Sequence, residues 1–229
     1  MFSIVIPLFN EDQNITPLLD EINKCLSNSK NYEIILINDA STDNTLETIK
    51  KIKKDNIKTF TNLINKGQSY SIHHGILKSS YNTIVTIDGD GQNNPKDILK
   101  LLDYYQLNSH IELVGGIRVK RQDSQIKIIS SKIANYFRSK ILNDDCKDTG
   151  CSLKVFNKKV FLSLPYFDGI HRFLPALFKG YGYKTKFIEV SHRHRKYGIS
   201  KYGTMNRLFK GIRDMIKVNK IIKKHKYNG

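Results

Sequence analysis

Two aspartates separated by one glycine directly follow a short apolar run. They are Asp88 and Asp90 of the sequence Asp88-Gly89-Asp90-Gly91-Gln92, at the end of a predicted strand at Thr83–Asp88. Carboxylates two residues apart at a strand end can converge on one hard divalent cation, and oxygen ligands of this kind suit Mg²⁺ or Mn²⁺. Asp-Gly is also common in simple turns. The position of this turn in the predicted fold favours the metal site.

A second carboxylate, Asp39, ends another apolar run and is followed by Ser41-Thr42-Asp43. It could accept a hydrogen bond from a uracil or guanine N–H, or from ribose hydroxyls. The alternative is a helix cap made by Ser41 or Thr42, and both interpretations can hold together. Further along, Asn65-Lys66-Gly67-Gln68 opens a helix whose free N–H groups, with Lys66, favour an anion. The phosphate-loop pattern GxxxxGK[ST] does not occur, which argues against ATP hydrolysis.

Strand and helix patterns alternate through the first half of the chain. Strands are predicted at Ser3–Leu8, Glu33–Asn38, Ile57–Thr61, Thr83–Asp88 and Ile111–Gly115, and helices at Asp12–Leu26, after Ser41–Thr42, at Gly67–Lys78 and at Pro95–Asn108. This alternation predicts a mostly parallel sheet with helices on both faces. Such sheets bind ligands at the carboxyl ends of their strands, which is where Asn10-Glu11, Asn38-Asp39 and the Asp88 turn lie.

The second half shows a different pattern. The predicted elements are a long basic amphipathic helix at Gln122–Ile141, a strand at Ser152–Phe156, a helix around Arg172–Tyr181, an edge strand at Lys184–Ser191 and a final helix at Tyr202–Lys224. The final helix has an apolar stripe of Met205, Leu208, Phe209, Ile212, Met215, Ile216 and Ile222. Opposite lie Arg207, Lys210, Arg213, Lys217, Lys220, Lys223 and Lys224. Such a helix favours membrane-surface binding, and the alternative is packing on the domain with a solvated basic face.

Charge is divided unevenly along the chain. The formal net charge is +17, yet residues 1–110 carry 11 Lys and 13 acids, whereas residues 111–229 carry 27 basic and 8 acidic residues, including every Arg. This asymmetry indicates an anionic partner such as nucleic acid or a membrane surface. A hydrophobic content of 39% excludes a disordered chain. Neither a spanning apolar run nor the basic start of a signal peptide is found. Cys25, Cys146 and Cys151 lack CxxC spacing, which predicts a reduced protein, and Cys146 and Cys151 are expected to be buried or incidental thiols rather than catalytic ones.

Several blocks together resemble a known family. In the first half, Ile4-Val5-Ile6-Pro7-Leu8-Phe9-Asn10-Glu11, Asn38-Asp39-Ala40-Ser41-Thr42-Asp43 and the Asp88–Gln92 turn resemble the nucleotide-sugar half of family 2 glycosyltransferases. Blocks of the second half resemble the dolichol-phosphate mannose synthase-like branch, the polyprenyl-phosphate glycosyltransferases. They are Gly115-Gly116-Ile117-Arg118, Asp148-Thr149-Gly150-Cys151-Ser152-Leu153-Lys154 and Arg195-Lys196-Tyr197-Gly198-Ile199-Ser200-Lys201. The resemblance covers roughly residues 1–205, in order.

The resemblance implies a fold and a division of the chain. The expected fold is a single α/β domain of the glycosyltransferase A type, with a mostly parallel sheet flanked by helices. Residues 1–200 would form the catalytic domain, with a nucleotide-sugar half at 1–116 and an acceptor half at 117–200. Residues 201–229 would form a basic amphipathic C-terminal helix and tail.

The resemblance also implies roles for individual residues. Asp39 would contact the base and ribose of a UDP- or GDP-hexose, while Asp88 and Asp90, with Gln92, would hold Mg²⁺ or Mn²⁺ and the diphosphate. Arg118 and Arg195 would face phosphates, and with Asp90 are expected to serve catalysis. Further substrate contacts are expected from Pro7, Asn10, Glu11, Lys66, Lys127, Ser131 and Lys201. Lys127 and Ser131 would belong to an acceptor element within Gln122–Ile141.

The expected reaction is direct displacement with inversion at the anomeric carbon, by the phosphate of a polyprenyl lipid. The second pKa of such a phosphate lies at about 6, so the dianionic nucleophile needs no general base. In agreement, no Glu-Asp pair follows residue 150 and no Gln-x-x-Arg-Trp occurs, since Trp is absent. His171-Arg172-Phe173 stands in that region instead.

Two alternatives remain at this stage. Transfer to a saccharide or protein hydroxyl, the former as in cell-envelope polysaccharide synthesis, would need a base, for which Asp168 is the nearest candidate. A non-catalytic nucleic-acid-binding protein is suggested by charge alone, but no recognised motif appears, so no nucleic-acid partner is expected. His192 and His194 lack further ligands at zinc spacing. The predicted location is cytoplasmic, peripheral on the cytoplasmic face of the membrane, reached through the last helix or through a membrane-protein partner.

Overall fold

The protein is built on a seven-stranded sheet with the strand order β3-β2-β1-β4-β6-β5-β7. The computed structural model describes residues 1–27, 29, 31–119, 135–198 and 204–228, with the backbone alone for 204–209 and 227–228. The strands are β1 (Phe2–Leu8), β2 (Tyr32–Asn38), β3 (Ile57–Thr61), β4 (Thr83–Thr86), β5 (Ile111–Arg118), β6 (Lys154–Asn157) and β7 (Lys184–Val190). The helices are α1 (Asp12–Cys25), α2 (Thr45–Lys50), α3 (Gln68–Lys78), α4 (Lys96–Leu107), α5 (135–142), α6 (Lys158–Ser163), α7 (Leu174–Gly180) and α8 (Thr204–Asn228), with a 3₁₀ turn at Ile170–Arg172.

Helices cover both faces of this sheet, which explains the continuous apolar runs of its central strands. Along β1, Ile4 and Ile6 pack into a core shared with α1 and α4. Val5 points to the opposite face and packs into a second core shared with α3, α7 and α8. The strands β1–β2, β2–β3, β1–β4 and β5–β7 pair in parallel, so the predicted α/β fold with a mostly parallel sheet is confirmed.

The exception to the parallel pattern is β6, which is antiparallel to both of its neighbours, β4 and β5. It begins at Lys154 rather than at the predicted Ser152. The Ser152 carbonyl accepts instead from the Thr86 hydroxyl at 2.7 Å, and the Ser152 hydroxyl accepts from the backbone N–H of Asp88 at 3.1 Å. The residues before β6 therefore reach the end of β4, where the Asp88 turn begins.

Three local predictions need correction. Neither Ser41 nor Thr42 caps the second helix, because α2 begins at Thr45 after Asn44. The predicted helix around Arg172–Tyr181 is divided into the 3₁₀ turn and α7. The short helix α6 was missed, although its N-cap Asn157 accepts from two backbone N–H groups, a common helix-start signal. The predicted helix Gln122–Ile141 lies mostly outside the described residues, and its last part coincides with α5.

The C-terminal helix α8 packs on the domain with its Asp214, Val218 and Ile222 face, which is buried. Ile212 and Ile216, from the predicted apolar stripe, are instead 44% and 51% exposed. The alternative that this helix packs on the domain is therefore correct for one of its faces. Apolar and basic side chains share the other face, which is exposed. Within the part of the chain that the structure describes, no helix combines the length and apolar character needed to span a membrane.

Candidate active site

The residues Asp88–Gln92, which follow β4 and are called the acidic turn below, carry two carboxylates close together. A Cβ on Gly89 would lie 2.4 Å from the Leu8 side chain, so only glycine lets this turn approach β1 so closely. Burial and repulsion from Asp90 raise the pKa of the Asp88 carboxyl to about 6. The Asp88 carboxylate accepts a hydrogen bond from the Gln68 amide at 2.7 Å. A buried carboxyl with a second acid beside it at a strand end forms an arrangement that a cation would stabilise.

Arg195 reaches this turn from the residues after β7. Its guanidinium lies 2.9 Å from the Asp90 carboxylate and 3.4 Å from that of Glu11. The other oxygen of Asp90 accepts from the backbone N–H of Gln92 at 3.1 Å. The structure thus brings together Glu11, Asp90 and Arg195, which the sequence places in three separate blocks.

Asp39 is buried and its carboxylate holds the loop before α3. It accepts from the Asn62 amide at 2.7 Å and from the backbone N–H groups of Lys66 and Gly67 at 3.0 and 2.7 Å. Asn62 in turn bonds the His74 ring at 2.9 Å. The carboxylate therefore fixes the start of α3, a structural role that the sequence analysis did not anticipate.

Arg118 is held in a fixed orientation at the end of β5. Its Nε and one terminal nitrogen donate to the two Asp148 carboxylate oxygens at 2.7 and 2.8 Å, a bidentate pair with little exposure. A Cβ on Gly150 would lie 2.7 Å from the same guanidinium. The occurrence of Asp148 and Gly150 in one block therefore has a physical explanation, because the aspartate holds the arginine and the glycine leaves room for it.

Other residues expected to contact the substrate have visible structural partners. Asn10, with a φ of 54°, joins the turns after β1 and β2, since its amide and backbone bond Thr42 and Ser41. The Lys66 ammonium lies 4.3 Å from the centre of the Tyr70 ring. The Gln92 amide donates to the Arg193 carbonyl at 3.3 Å. Pro7 lies within β1, half-buried, opposite Ile37 of β2.

Three residues at the site were missed by the sequence analysis. Gln68 bonds Asp88, and the adjacent Ser69 bonds His171 Nδ1 at 2.6 Å, so the first turn of α3 links the acidic turn to the 3₁₀ turn. Lys154 is buried beside the acidic turn, where its ammonium donates to the Cys151 carbonyl and its charge favours ionised Asp88. Gln68 and Lys154 belong to sequence blocks named above, but their roles depend on contacts with residues distant in the sequence.

Several predicted residues fall elsewhere. Lys127, Ser131 and Lys201 lie outside the described residues. The candidate base Asp168 is 58% exposed and forms an ion pair with Lys210 of α8 at 2.5 Å. Burial raises the pKa of the Cys146 and Cys151 thiols to about 11, which makes both poor nucleophiles, as predicted.

The residues of the acidic turn fit a divalent metal with oxygen ligands. Asp88 and Asp90 supply two carboxylates two positions apart, and the raised pKa of Asp88 shows that its charged form lacks full compensation from the protein. Across the described ranges, no group of three or more His, Cys, Asp or Glu side chains has the arrangement of a complete metal site. The protein would therefore hold the ion by two carboxylates and leave further positions to other oxygen ligands.

The family model described as glycosyl transferase family 2 matches residues 3–164, which include the acidic turn, Arg118 and the Asp148 block. The chain belongs to glycosyl transferase family 2. The resemblance found in the sequence blocks is thereby confirmed.

Curated relatives of this family 2 chain include a dodecaprenyl-phosphate galacturonate synthase from Rhizobium johnstonii. It is 33% identical over 223 residues, which cover 94% of this chain and 65% of the relative. An undecaprenyl-phosphate 4-deoxy-4-formamido-L-arabinose transferase from Pectobacterium carotovorum is 29% identical, covering 87% of this chain and 62% of the relative. The chain thus spans less than two thirds of the length of these relatives.

Solved structures with the same fold include glucosyl-3-phosphoglycerate synthase from Mycobacterium tuberculosis. Its complex with Mn²⁺, UDP and phosphoglyceric acid has a TM-score of 0.69 and 16% identity, covering 95% of this chain and 76% of that one. A complex with Mg²⁺ and UDP has a TM-score of 0.71 and 15% identity, covering 95% and 77%. The likeness confirms the glycosyltransferase A-type fold for the family 2 chain.

Proposed function

We propose that this protein is an inverting glycosyltransferase that moves a hexose from a nucleotide-diphospho-sugar to a polyprenyl phosphate. The observation that carries the proposal is the acidic pair Asp88–Asp90, with Arg195 on one of its carboxylates and Arg118 held close by. Carboxylates suit a metal, and arginines suit phosphates on the donor and the acceptor. The names of the polyprenyl-phosphate relatives support the choice of acceptor.

On the donor side, Asp88 and Asp90, with Gln92 beside them, would hold Mg²⁺ or Mn²⁺. The bound cation would offset the charge that develops on the nucleoside diphosphate as it leaves. The fold neighbours that contain UDP with Mn²⁺ or Mg²⁺ support this cofactor. Asp39 would meet the base and ribose with the acceptor capacity that remains beside its three hydrogen bonds. Lys66, at the start of α3, would add positive charge near the phosphates.

On the acceptor side, the geometry favours a nucleophile that arrives already ionised. Asp168 is exposed and paired with Lys210, which makes it a poor general base for a hydroxyl acceptor. A phosphate needs no base and can be oriented by a rigid guanidinium, which Asp148 provides by fixing Arg118. Lys127, Ser131 and Lys201 stay predicted acceptor contacts.

We also propose that the protein acts peripherally at the cytoplasmic face of the membrane, where α5 contributes to contact. This helix has an inverted pattern, because Arg138 is buried against Asp144 while Tyr136, Phe137 and Ile141 are 60%, 58% and 46% exposed. Lys140 lies over the Tyr136 ring on the same outer side. Aromatic and cationic side chains presented together suit the interface of an anionic bilayer. The outer face of α8 offers the same combination in Ile212, Ile216 and its lysines.

The transfer reaction can be tested directly with purified protein, Mn²⁺ and a panel of radiolabelled UDP- and GDP-hexoses. Undecaprenyl phosphate is expected to become labelled, whereas free saccharide acceptors are not. Asp90→Ala should lower transfer by roughly a hundredfold to a thousandfold, the usual effect of removing one stabilising group of this kind. Lys53→Ala, at an exposed position, is the matched control and should retain activity. Labelling of saccharides alone, or full activity of Asp90→Ala, would refute the proposal.

A further inference from the structure

The residues that follow β7 form a strap across the acidic turn. We use this name for residues 191–198. The strap runs beside the turn, since Arg193 and Gln92 exchange hydrogen bonds through the Arg193 N–H at 2.9 Å and the Gln92 amide at 3.3 Å. It is also fastened to α1, where Arg193 pairs with Glu21 at 2.6 Å and Asn14 donates to the Tyr197 carbonyl at 3.4 Å. These contacts fix the backbone on both sides of Arg195.

Within the strap, Arg195 binds Asp90, one of the two carboxylates of the acidic turn. Asp90 already accepts from Gln92 with one oxygen, and Arg195 donates to the other. A divalent cation bound through that second oxygen would need the place of the guanidinium. Two positive groups at one carboxylate also repel each other strongly where water is partly excluded.

We propose that Arg195 and the divalent cation compete for Asp90, and that the guanidinium passes from Asp90 to the donor diphosphate when metal and nucleotide bind together. The diphosphate brings the negative charge that lets both cations remain in the site. The metal alone therefore binds weakly because it must displace Arg195, and the nucleotide supplies the arginine with a new partner. This inference rests on the donor site of the proposed function and is independent of the acceptor.

The role of Glu11 fits this exchange. Its carboxylate is buried, bonds the Asn14 amide at 2.8 Å and lies 3.4 Å from the Arg195 guanidinium. A second acid beside the guanidinium keeps Arg195 near the turn after it leaves Asp90. Arg193, by contrast, forms its ion pair with Glu21 of α1 and not with an acid of the acidic turn. The two arginines of the strap thus provide a test residue and a matched control.

The experiment compares wild-type protein with Arg195→Gln, Arg195→Ala and Arg193→Ala, after circular dichroism has shown that each variant folds. Binding of Mn²⁺ alone is measured by electron paramagnetic resonance. Binding of UDP and of GDP is then measured by calorimetry at saturating Mn²⁺. Loss of a charge competitor should tighten Mn²⁺ binding of both Arg195 variants by roughly five- to tenfold. The same variants should bind the nucleotide roughly tenfold more weakly, because its diphosphate loses an arginine. Arg193→Ala should change both affinities less than twofold.

The expected result is that the same Arg195 variant binds Mn²⁺ more tightly and the nucleotide more weakly than wild type. If Arg195→Gln binds Mn²⁺ with unchanged or lower affinity, the competition does not exist. If Arg193→Ala reproduces the effect, the strap as a whole is responsible and the assignment to Arg195 is wrong. Opposite signs without any transfer to undecaprenyl phosphate would overturn the proposed acceptor and leave this inference standing.

Discussion

The two halves of the chain hold their charges in different ways. In the first half, two carboxylates of the site are held by neutral donors: Asp39 by Asn62 and two backbone N–H groups, and Asp88 by Gln68. In the second half, five of the eight acidic residues form ion pairs with a cation of that same half. They are Asp144, Asp145, Asp148, Asp168 and Asp214.

This difference separates two kinds of charged site within one chain. Neutral donors fix Asp39 and Asp88 without cancelling their charge, whereas Asp90 and Glu11 share Arg195 of the strap. The acids of the second half fix arginines such as Arg118, and the lysines that remain give that half its positive surplus. Among the ion pairs of the described residues, those that cross between the halves come from Arg193 and Arg195 of the strap. The strap is therefore the place where the two charge systems meet.

The largest expected effect comes from removing the acid that fixes Arg118. Asp148→Ala leaves the guanidinium with its bidentate partner removed in a site of low exposure, so the free energy of unfolding should fall by about 3–5 kcal/mol. Urea denaturation followed by circular dichroism measures this. The control is Asp145→Ala, whose carboxylate is 68% exposed beside Lys179 and should cost at most about 1 kcal/mol. Equal losses in the two variants would show that the second half does not depend on its buried pairs.

A smaller change in stability is expected from a substitution in the first half, and at neutral pH this substitution should stabilise the protein. The folded protein raises the pKa of Asp88 to about 6 from 3.8, so folding favours the proton, and this group's stabilising contribution is lost as pH rises through 6. With a chelator present, Asp88→Asn should therefore raise the melting temperature at about pH 7.5 and leave it unchanged below about pH 4. Differential scanning calorimetry across this range checks the trend, with Asp55→Asn at an exposed position as control. A lower melting temperature for Asp88→Asn at every pH would contradict it.

The smallest expected effect concerns the outer face of α5. Replacing Tyr136 and Phe137 by serine removes two aromatic groups from a surface that is exposed in the protein alone, so stability should stay within about 0.5 kcal/mol of wild type. Binding to vesicles of phosphatidylglycerol and phosphatidylcholine, followed by flotation, should fall several-fold. Tyr81→Ser, away from this helix, should bind vesicles as wild type does. Unchanged flotation of the double variant would remove α5 from the proposed membrane contact.

Much of the fold follows from local pattern, because buried strands such as β1 and β2 are long apolar runs bounded by turn residues. Pattern was less informative after Gly116. There β6 enters between existing strands, α6 is only six residues long, and α5 directs Arg138 inwards and its aromatic residues outwards. Hydrophobic periodicity assumes that apolar side chains point to the core, and α5 breaks that rule.

At the site, the sequence identified residue types better than partners. Asp88, Asp90, Arg118 and Arg195 were predicted from their blocks, and the structure brings Arg195 onto Asp90 as adjacent groups. The bidentate hold of Asp148 on Arg118 and the contact of Gln68 with Asp88 join residues 30 and 20 positions apart. Local sequence pattern does not reveal such pairings, because they depend on which elements become neighbours in the folded protein.

The antiparallel position of β6 has a consequence for how the protein is made. Because β6 lies between β4 and β5, the centre of the sheet cannot close until residue 157 has left the ribosome. Until then β4 presents an unpaired edge next to an apolar core, a form that invites aggregation and chaperone binding. The same late strand begins with Lys154, whose buried positive charge favours ionised Asp88. Nascent chains arrested before residue 150 should therefore be protease-sensitive throughout, and protection should appear in a single step once β6 emerges.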